Sequence, residues 1–492
     1  MTVVLALDAG TTGVRALAID SSSAVVGLAY REFTQHFPQP GWVEHDLEEI
    51  WSQVQVVIAE LLATLDAPVV AVGITNQRET AAAWDRRTGV PRHRAIVWQD
   101  RRTAARCDAL AEAGHLPMVR SRTGLVLDPY FTGTKFEWLL GPGGVVADEH
   151  LALGTIDSWL IWKLSGGAAH VTEPSNASRT MLFDINRLSW DDELCDLLGV
   201  PTAALPEVRP TSGRFAVTAA ETTALGPGVP ISGVAGDQQA ALFGQACFAP
   251  GMTKNTYGTG SFLLMNVGEA APAPVDGLLT TVAWTLGEGQ PATYAYEGAI
   301  FVTGAAIQWL RDGLGIIGEA AEIGPLAASV DDTGDVFFVP AFAGLASPHW
   351  DPYARGTIVG ITRGTGRAEL ARATVESIAL QTRDVVEVMV RSAGLELGEL
   401  RVDGGASVMD LLLQLQADQL GVPVARPTNA ETTAVGAAYL AGLAEGFWES
   451  LDDVSAAWSA DHVSSPTADR SGPDALHRRW LQAVERSRDW AR

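Results

Sequence analysis

Two apolar runs, VVLAL and GVRALAI, flank the polar and small residues Asp8 to Thr12 at the head of the chain. The pattern predicts strand, tight turn, strand, and SSSAVVGLAYREF continues as a third strand. After the turn residues PQPGWVEH the period changes. Ile50, Val54, Val57, Ile58, Leu61, Leu62 and Leu65 fall on one face at helical spacing. Asp46 is placed to cap that helix, with Glu49 three residues on as its capping-box partner. APVVAVGIT (67–75) is short and rich in β-branched residues, as a buried strand requires.

A similar order recurs in the second half. NTYGTGSFLLMNV (255–267) is again strand, small-residue turn, strand. A long helix carries Val375, Ile378, Ala379, Thr382, Val385, Val386 and Met389 on one face. ELRVDGGAS reads as a strand running into glycines. The helix after it, around Leu411, Leu412 and Leu415, stops at Gly421 before Pro423. Three strands, a helix and a further strand open a ribonuclease-H-like unit. The expected fold is therefore α/β, with two such domains over residues 1–246 and 247–492. No low-complexity linker separates them, so a shared catalytic cleft is expected between them.

Length supports this division, since 492 residues exceed what one core accommodates. A net charge of −24 disfavours nucleic acid as a partner, because no basic stripe is available to neutralise phosphates. It does not disfavour an anionic ligand, whose local field is set by backbone dipoles and a bound cation. Lysine occurs only at positions 135, 163 and 254, which reads as compositional bias rather than mechanism. Cys107, Cys195 and Cys247 lie far apart without C-x-x-C pairing, so neither a disulfide frame nor a zinc site is expected. No secretory signal is apparent, and no apolar run reaches the ~18 residues of a membrane helix. The expectation is a cytoplasmic protein with no membrane insertion.

The chain lacks GxxxxGK[ST], GxGxxG in a βαβ unit, GxSxG and HExxH. It has instead three glycine-rich turns leaving strands: DAGTTG (8–13), YGTGS (257–261) and DGGAS (403–407). Each alone is an ordinary turn. Three of them across two similar halves suit a nucleotide whose phosphates are cradled by backbone N–H groups, with Asp8 beside a metal. In ISGVAGDQQAALFG (231–244), Asp237 is either a helix N-cap or a general base for a substrate hydroxyl, and the two roles are compatible. Arg78 and Glu79 in GITNQRET are either a surface ion pair or a clamp for vicinal hydroxyls. Trp98, Tyr130 and Phe262 are either packing aromatics or the walls of that polyol site.

The stretches DAGTT, PGWVEHD, GITNQRET, IVWQDRRT, TGLVLDPYFTGTK, NASRTMLFDI, GDQQAALFGQ, KNTYGTGSF, GAAIQWLRD, PAFAGLASPHWDPYARG and RVDGGA closely resemble the FGGY family of carbohydrate kinases. The resemblance runs from residue 1 to about 448, and GITNQRE with PGWVEHD resembles the branch that acts on glycerol. It implies an actin-like ATPase fold, with ATP and Mg²⁺ as cofactors, transfer of phosphate to glycerol, and a homodimer or homotetramer. Carried onto this chain, Arg78, Glu79, Trp98, Tyr130, Asp237, Gln238 and Phe262 would line glycerol, with Asp237 as base. Asp8 and Asp237 would serve the metal, and Thr11, Thr12, Gly13 and Arg15 would lie near the phosphates. Thr259, Gly304, Gln308, Gly405 and Met409 would contact the nucleotide. Met409 departs from the asparagine common in the family at that place, so the contact with the base is expected to differ. The loop ALGPGVP (224–230) and the tail after residue 460 lack the regulatory inserts of enteric members, so inhibition by fructose bisphosphate or by a sugar-transport regulator is not expected. The alternatives are a kinase of another polyol or ketose, and an actin-like ATPase or regulatory binding protein without phosphotransfer.

Overall fold

The structure, a computed structural model, describes residues 2–491. Two sheets dominate it. The first runs in spatial order Ser212–Val217, Pro230–Gly236, Val69–Asn76, Val3–Ala9, Gly13–Ile19 and Val25–Glu32. The second runs Leu279–Thr285, Ala292–Ile300, Ser261–Gly268, Thr253–Tyr257, Leu400–Asp403, Val424–Pro427 and Ala460–Ser464. The expected pair of α/β units is therefore present, each with an antiparallel meander followed by a parallel crossover strand.

Local chemistry explains the elements. Helix Leu47–Thr64 starts at Asp46, whose carboxylate accepts from the Glu48 and Glu49 N–H groups. Glu49 does not complete the expected capping box, because its carboxylate instead accepts from the backbone N–H and hydroxyl of Thr34. The apolar face lies where the periodicity puts it: Ile50, Val54, Val57, Ile58 and Leu61 are buried on the first sheet, with Leu62 and Leu65 partly covered. Helix Arg367–Ala393 similarly buries Val375, Ile378, Ala379, Val385 and Met389. Among the described residues, no helix is long and apolar enough to cross a membrane.

Three strands of the first sheet, Val3–Ala9, Val69–Asn76 and Pro230–Gly236, run parallel. Their register aligns Asp8, Thr75 and Ala235, then Ala9, Asn76 and Gly236, so all three end at one level. Everything that follows each strand emerges at the same edge.

The helix Thr432–Ala444 joins the two units. It belongs to the second half by sequence, yet it packs on the first sheet and crosses helix Asp237–Gly244. It is buried on nearly every side, which is why its sequence, TTAVGAAYLAGLA, shows no polar face. Small residues make the contact possible. A Cβ at Gly436 would stand 1.9 Å from the Ala240 carbonyl oxygen, and one at Gly244 would stand 2.0 Å from that of Thr432. On the sheet side, Gly73 and Gly233 face the backbone of Ala437 and Ala441 just as closely, at 2.1 and 2.2 Å.

Gly436→Ala should therefore overpack a backbone–backbone contact and destabilise the protein by ~3 kcal/mol or more. Urea unfolding checks this, and a midpoint unchanged from wild type would contradict the packing.

Candidate functional site

The shared strand ends deliver Asp8, the segment Gln77 to Glu79, and Asp237 to one place, as open α/β sheets do at their carboxyl edge. Asp237 is the first residue of helix Asp237–Gly244, so the N-cap position expected for it belongs to Gly236. Its Oδ1 still accepts from the Gln238 N–H at 2.7 Å, within the positive end of the helix. The same oxygen stands 3.3 Å from Arg78 Nε, and the side chain keeps 30% exposure.

Arg78 and Glu79 are no surface pair, since each side chain is 2% exposed. The Arg78 guanidinium forks onto Glu297, with Nη1 donating at 2.5 Å and Nη2 at 3.0 Å. Nη1 also donates to Gln239 at 3.2 Å and Nη2 to the Tyr130 hydroxyl at 3.3 Å. Arg179 completes the lattice by donating to Glu79 Oε1 at 2.7 Å and Glu297 Oε1 at 3.0 Å. Burial alone would raise the pKa of Glu297, but the Arg179 and Arg78 guanidinium groups override it and hold the carboxyl at about 2. Glu79 has a left-handed backbone, φ 61°, which costs energy in a non-glycine residue. Lys135 Nζ and the Thr132 hydroxyl fix that turn by donating to the Glu79 carbonyl at 2.9 and 3.1 Å.

Three polar functions are left over. Among the described residues, Glu79 Oε2 and Asp237 Oδ2 accept no hydrogen bond, and the Tyr130 hydroxyl accepts from Arg78 without donating. Two acceptors and one donor around a single guanidinium match the needs of adjacent alcohol groups. Trp98 packs edge-on to Tyr130, with ring centroids 5.7 Å apart, and supplies an apolar wall. Phe262 pairs with Thr256 and Ala299 across its sheet. By the two-residue alternation it shares a face with Leu264, whose neighbours are Lys254 and Glu297, so it belongs to the same cleft. Gln238 Oε1 accepts from Lys254 Nζ, which also donates to Thr256 Oγ1 at 2.9 Å.

The first glycine-rich turn lies directly beside this cluster. The Gly10 N–H closes it onto the Gly13 carbonyl at 3.0 Å, and Trp98 Nε1 donates to Thr11 Oγ1 at 2.9 Å. Thr12 is exposed at its tip, while Arg15 reaches across the halves to Glu431 at 2.8 Å. A neutral histidine backs the turn. His45 contacts Gln35 at 2.6 Å and Gln77 at 3.3 Å, and those amides donate to the Thr11 and Gly10 carbonyls. Burial depresses the His45 pKa to about 3, so this relay keeps its form at neutral pH. Burial pushes Asp8 up to about 7 against the opposing charge of Arg15, with Asp237 adding to the rise. Burial also lifts Asp237 to about 6, against Arg78.

The second half contributes a glycine-lined rim. Thr259 and Gly258 accept from the backbone N–H groups of Thr303, Gly304 and Ala305, so the YGTGS turn is bonded to the start of helix Gly304–Asp312. Gln308 is exposed one turn along that helix. Gly404 takes φ 85°, and a Cβ there would lie 2.4 Å from the Tyr257 carbonyl, so DGGAS touches the same turn. Gly405 is open to the rim, with nothing within 4 Å of its Cβ position. Met409 caps helix Asp410–Leu420 and packs near Gly324. The YGTGS turn with Thr259 thus touches both the helix start at Gly304 and the segment that carries Gly405 and Met409, and Met409 presents a thioether instead of an amide.

Sequence reasoning missed several members of this site. Lys135 and Lys254, set aside as compositional bias, are both fully buried within it. Arg179 and Glu297 were also missed. For Glu297 a local signal was present, since a lone acid inside the apolar strand YAYEGAI demands a buried cation, although nothing local names which one.

The profile of the N-terminal domain of the FGGY family of carbohydrate kinases matches residues 3–244, and that of its C-terminal domain matches residues 253–445. A glycerol kinase of Bordetella parapertussis is 57% identical over 99% of this chain and 98% of its own length. One from Trichlorobacter lovleyi is also 57% identical, over 100% of both chains. Among solved structures, Plasmodium falciparum glycerol kinase with ADP superposes with a TM-score of 0.93 at 34% identity, covering 99% of this chain and 98% of that one. A ligand-bound xylulose kinase from Lactobacillus acidophilus shares the fold, with a TM-score of 0.90 at 21% identity over 98% of this chain and 97% of its own. With both domain profiles matched in order and relatives similar along the whole length, this chain belongs to the FGGY family of carbohydrate kinases.

Proposed function

We propose that this protein transfers the γ-phosphoryl group of ATP to a primary hydroxyl of glycerol, giving sn-glycerol 3-phosphate and ADP. One observation carries the reading: two unoccupied carboxylate oxygens and a phenol proton surround Arg78 directly beside a glycine-rich turn. The full-length similarity to glycerol kinases supports it.

In this reading glycerol lies against Trp98 and Phe262, with its hydroxyls meeting Glu79 Oε2, the Tyr130 hydroxyl and Asp237 Oδ2. Asp237 takes the proton of the attacking hydroxyl as its oxygen displaces ADP in line from the γ-phosphorus. Backbone N–H groups of DAGTTG and YGTGS cradle the phosphates, and the Gly304, Gln308, Gly405 and Met409 rim holds the nucleoside. Withdrawal of the reacting centre between the halves keeps water from competing as acceptor.

Two oxygen-donor carboxylates, Asp8 and Asp237, fit Mg²⁺. They carry excess negative charge that burial and mutual repulsion penalise, and Asp8 makes no side-chain hydrogen bond among the described residues. Among the described residues no group of three or more His, Cys, Asp or Glu could hold a metal ion, so the cation would take its other ligands from phosphates and water. When bound, Mg²⁺ supplies neutralisation of phosphate charge.

Asp237→Asn should lower kcat by ~10²–10⁴-fold with the fold intact. Steady-state kinetics checks this, and a nearly active variant would leave Asp237 with only its helix-end role. Because both carboxylates must be ionised, kcat/KM for ATP should fall as pH drops through the interval from about 7 to about 6. A profile flat down to pH 5 would contradict the assignment. A panel of polyols and ketoses separates glycerol from its rivals, and a higher kcat/KM for a pentulose would overturn the substrate.

A further inference from the structure

We propose that Glu297, from the second half of the chain, is a positioning residue for the polyol site of the first half. It sets the plane of the Arg78 guanidinium and so keeps Glu79 and Asp237 available to substrate. The inference rests on the polyol reading of the Arg78 site given above.

Glu297 sits on strand Ala292–Ile300, is 0% exposed, and uses both oxygens. Oε2 takes Arg78 Nη1, while Oε1 is shared between Arg78 Nη2 and Arg179 Nη2. A carboxylate forked onto a guanidinium fixes its plane as a single contact cannot. With Nη1 and Nη2 committed, Arg78 presents Nε to Asp237 at 3.3 Å, and Nη2 keeps its bond to Tyr130. Two like-charged guanidinium groups meet at this one oxygen, so Glu297 also holds Arg179 where it bonds Glu79 Oε1.

Removing that charge has a definite consequence. Arg179 Nη1 is already buried without an acceptor among the described residues. Freed from Glu297, both guanidinium groups would turn to the remaining nearby acceptors, Glu79 and Asp237. Those are the oxygens that would otherwise receive hydroxyl protons. The residue touches no part of the nucleotide rim, although its strand ends at Ile300, paired with Ser261 of the YGTGS turn. Polyol affinity therefore depends on a group that arrives only when the second sheet is correctly seated against the first.

The test is steady-state kinetics on Glu297→Gln, with Glu297→Asp as a second variant that keeps the charge on a shorter arm. Arg78→Lys serves as a control on the site itself. In Glu297→Gln the glycerol KM should rise at least tenfold while the ATP KM stays within about twofold, and Glu297→Asp should recover part of the loss. A merely structural residue would lower the melting temperature and the active fraction but leave the glycerol KM of the folded enzyme alone. An unchanged glycerol KM in Glu297→Gln, with Arg78→Lys impaired, overturns the role of Glu297. An unchanged glycerol KM in Arg78→Lys overturns the polyol reading instead. If neither Glu297 variant yields folded protein, the residue is structural and the proposal fails.

Discussion

Four buried charges, Arg78, Glu79, Arg179 and Glu297, hold the candidate site of this protein together. Placing such groups out of water is expensive, and only close geometry with several hydrogen bonds recovers the cost. Removing one partner of a buried pair typically costs about 3–5 kcal/mol, because the other charge is then stranded. A purely apolar core at this point would be cheaper to build. What the lattice provides is placement: a strained Glu79 backbone, an oriented guanidinium and an Asp237 carboxylate held at fixed separations. Lys135 and Lys254 extend the same logic outward, each burying an amine against oxygen acceptors on the site's margin, with burial pulling the pKa of Lys135 down to about 7 and of Lys254 to about 8.

The lattice also spans the two halves, and it is not the only link that does. Arg15 pairs with Glu431, Lys254 bonds Gln238, and Asp403 accepts from both Gln245 and Thr432. Gln245 ends the helix that begins at Asp237, while Thr432 begins the helix that glycines admit between the units. The cluster around Arg78 and the glycine-rich turns of the second half are thus connected through short covalent paths and buried polar contacts. A kinase that must exclude water at the moment of transfer needs this arrangement, because its acceptor alcohol is no more reactive than water itself.

Much of this was legible in the sequence, and the parts that were not share a cause. Strand–turn–strand alternation placed DAGTTG and YGTGS, and a strand running into glycines before a helix placed DGGAS, since alternation and glycine are local signals. Asp237 was found because it follows a strand and opens a helix. Glu49 was misjudged, because its carboxylate found Thr34 from another segment rather than its own helix end. Glu297 and Arg179 escaped for the same reason: their partners lie more than a hundred residues away, and periodicity carries no information at that range. Lysine scarcity, read as composition, concealed that two of the three lysines lie fully buried at the candidate site. The helix Thr432–Ala444 lacked any polar face to betray its amphipathic direction, because the first sheet, helix Asp237–Gly244 and its other neighbours bury it on nearly every side.

The most direct measurement is phosphorus NMR of purified protein with ATP, Mg²⁺ and an equal amount of glycerol. Each ATP consumed should appear as ADP and one phosphomonoester of glycerol, with negligible inorganic phosphate. Release of inorganic phosphate at the same rate with and without glycerol would contradict it, leaving an ATPase on this fold rather than a phosphotransferase.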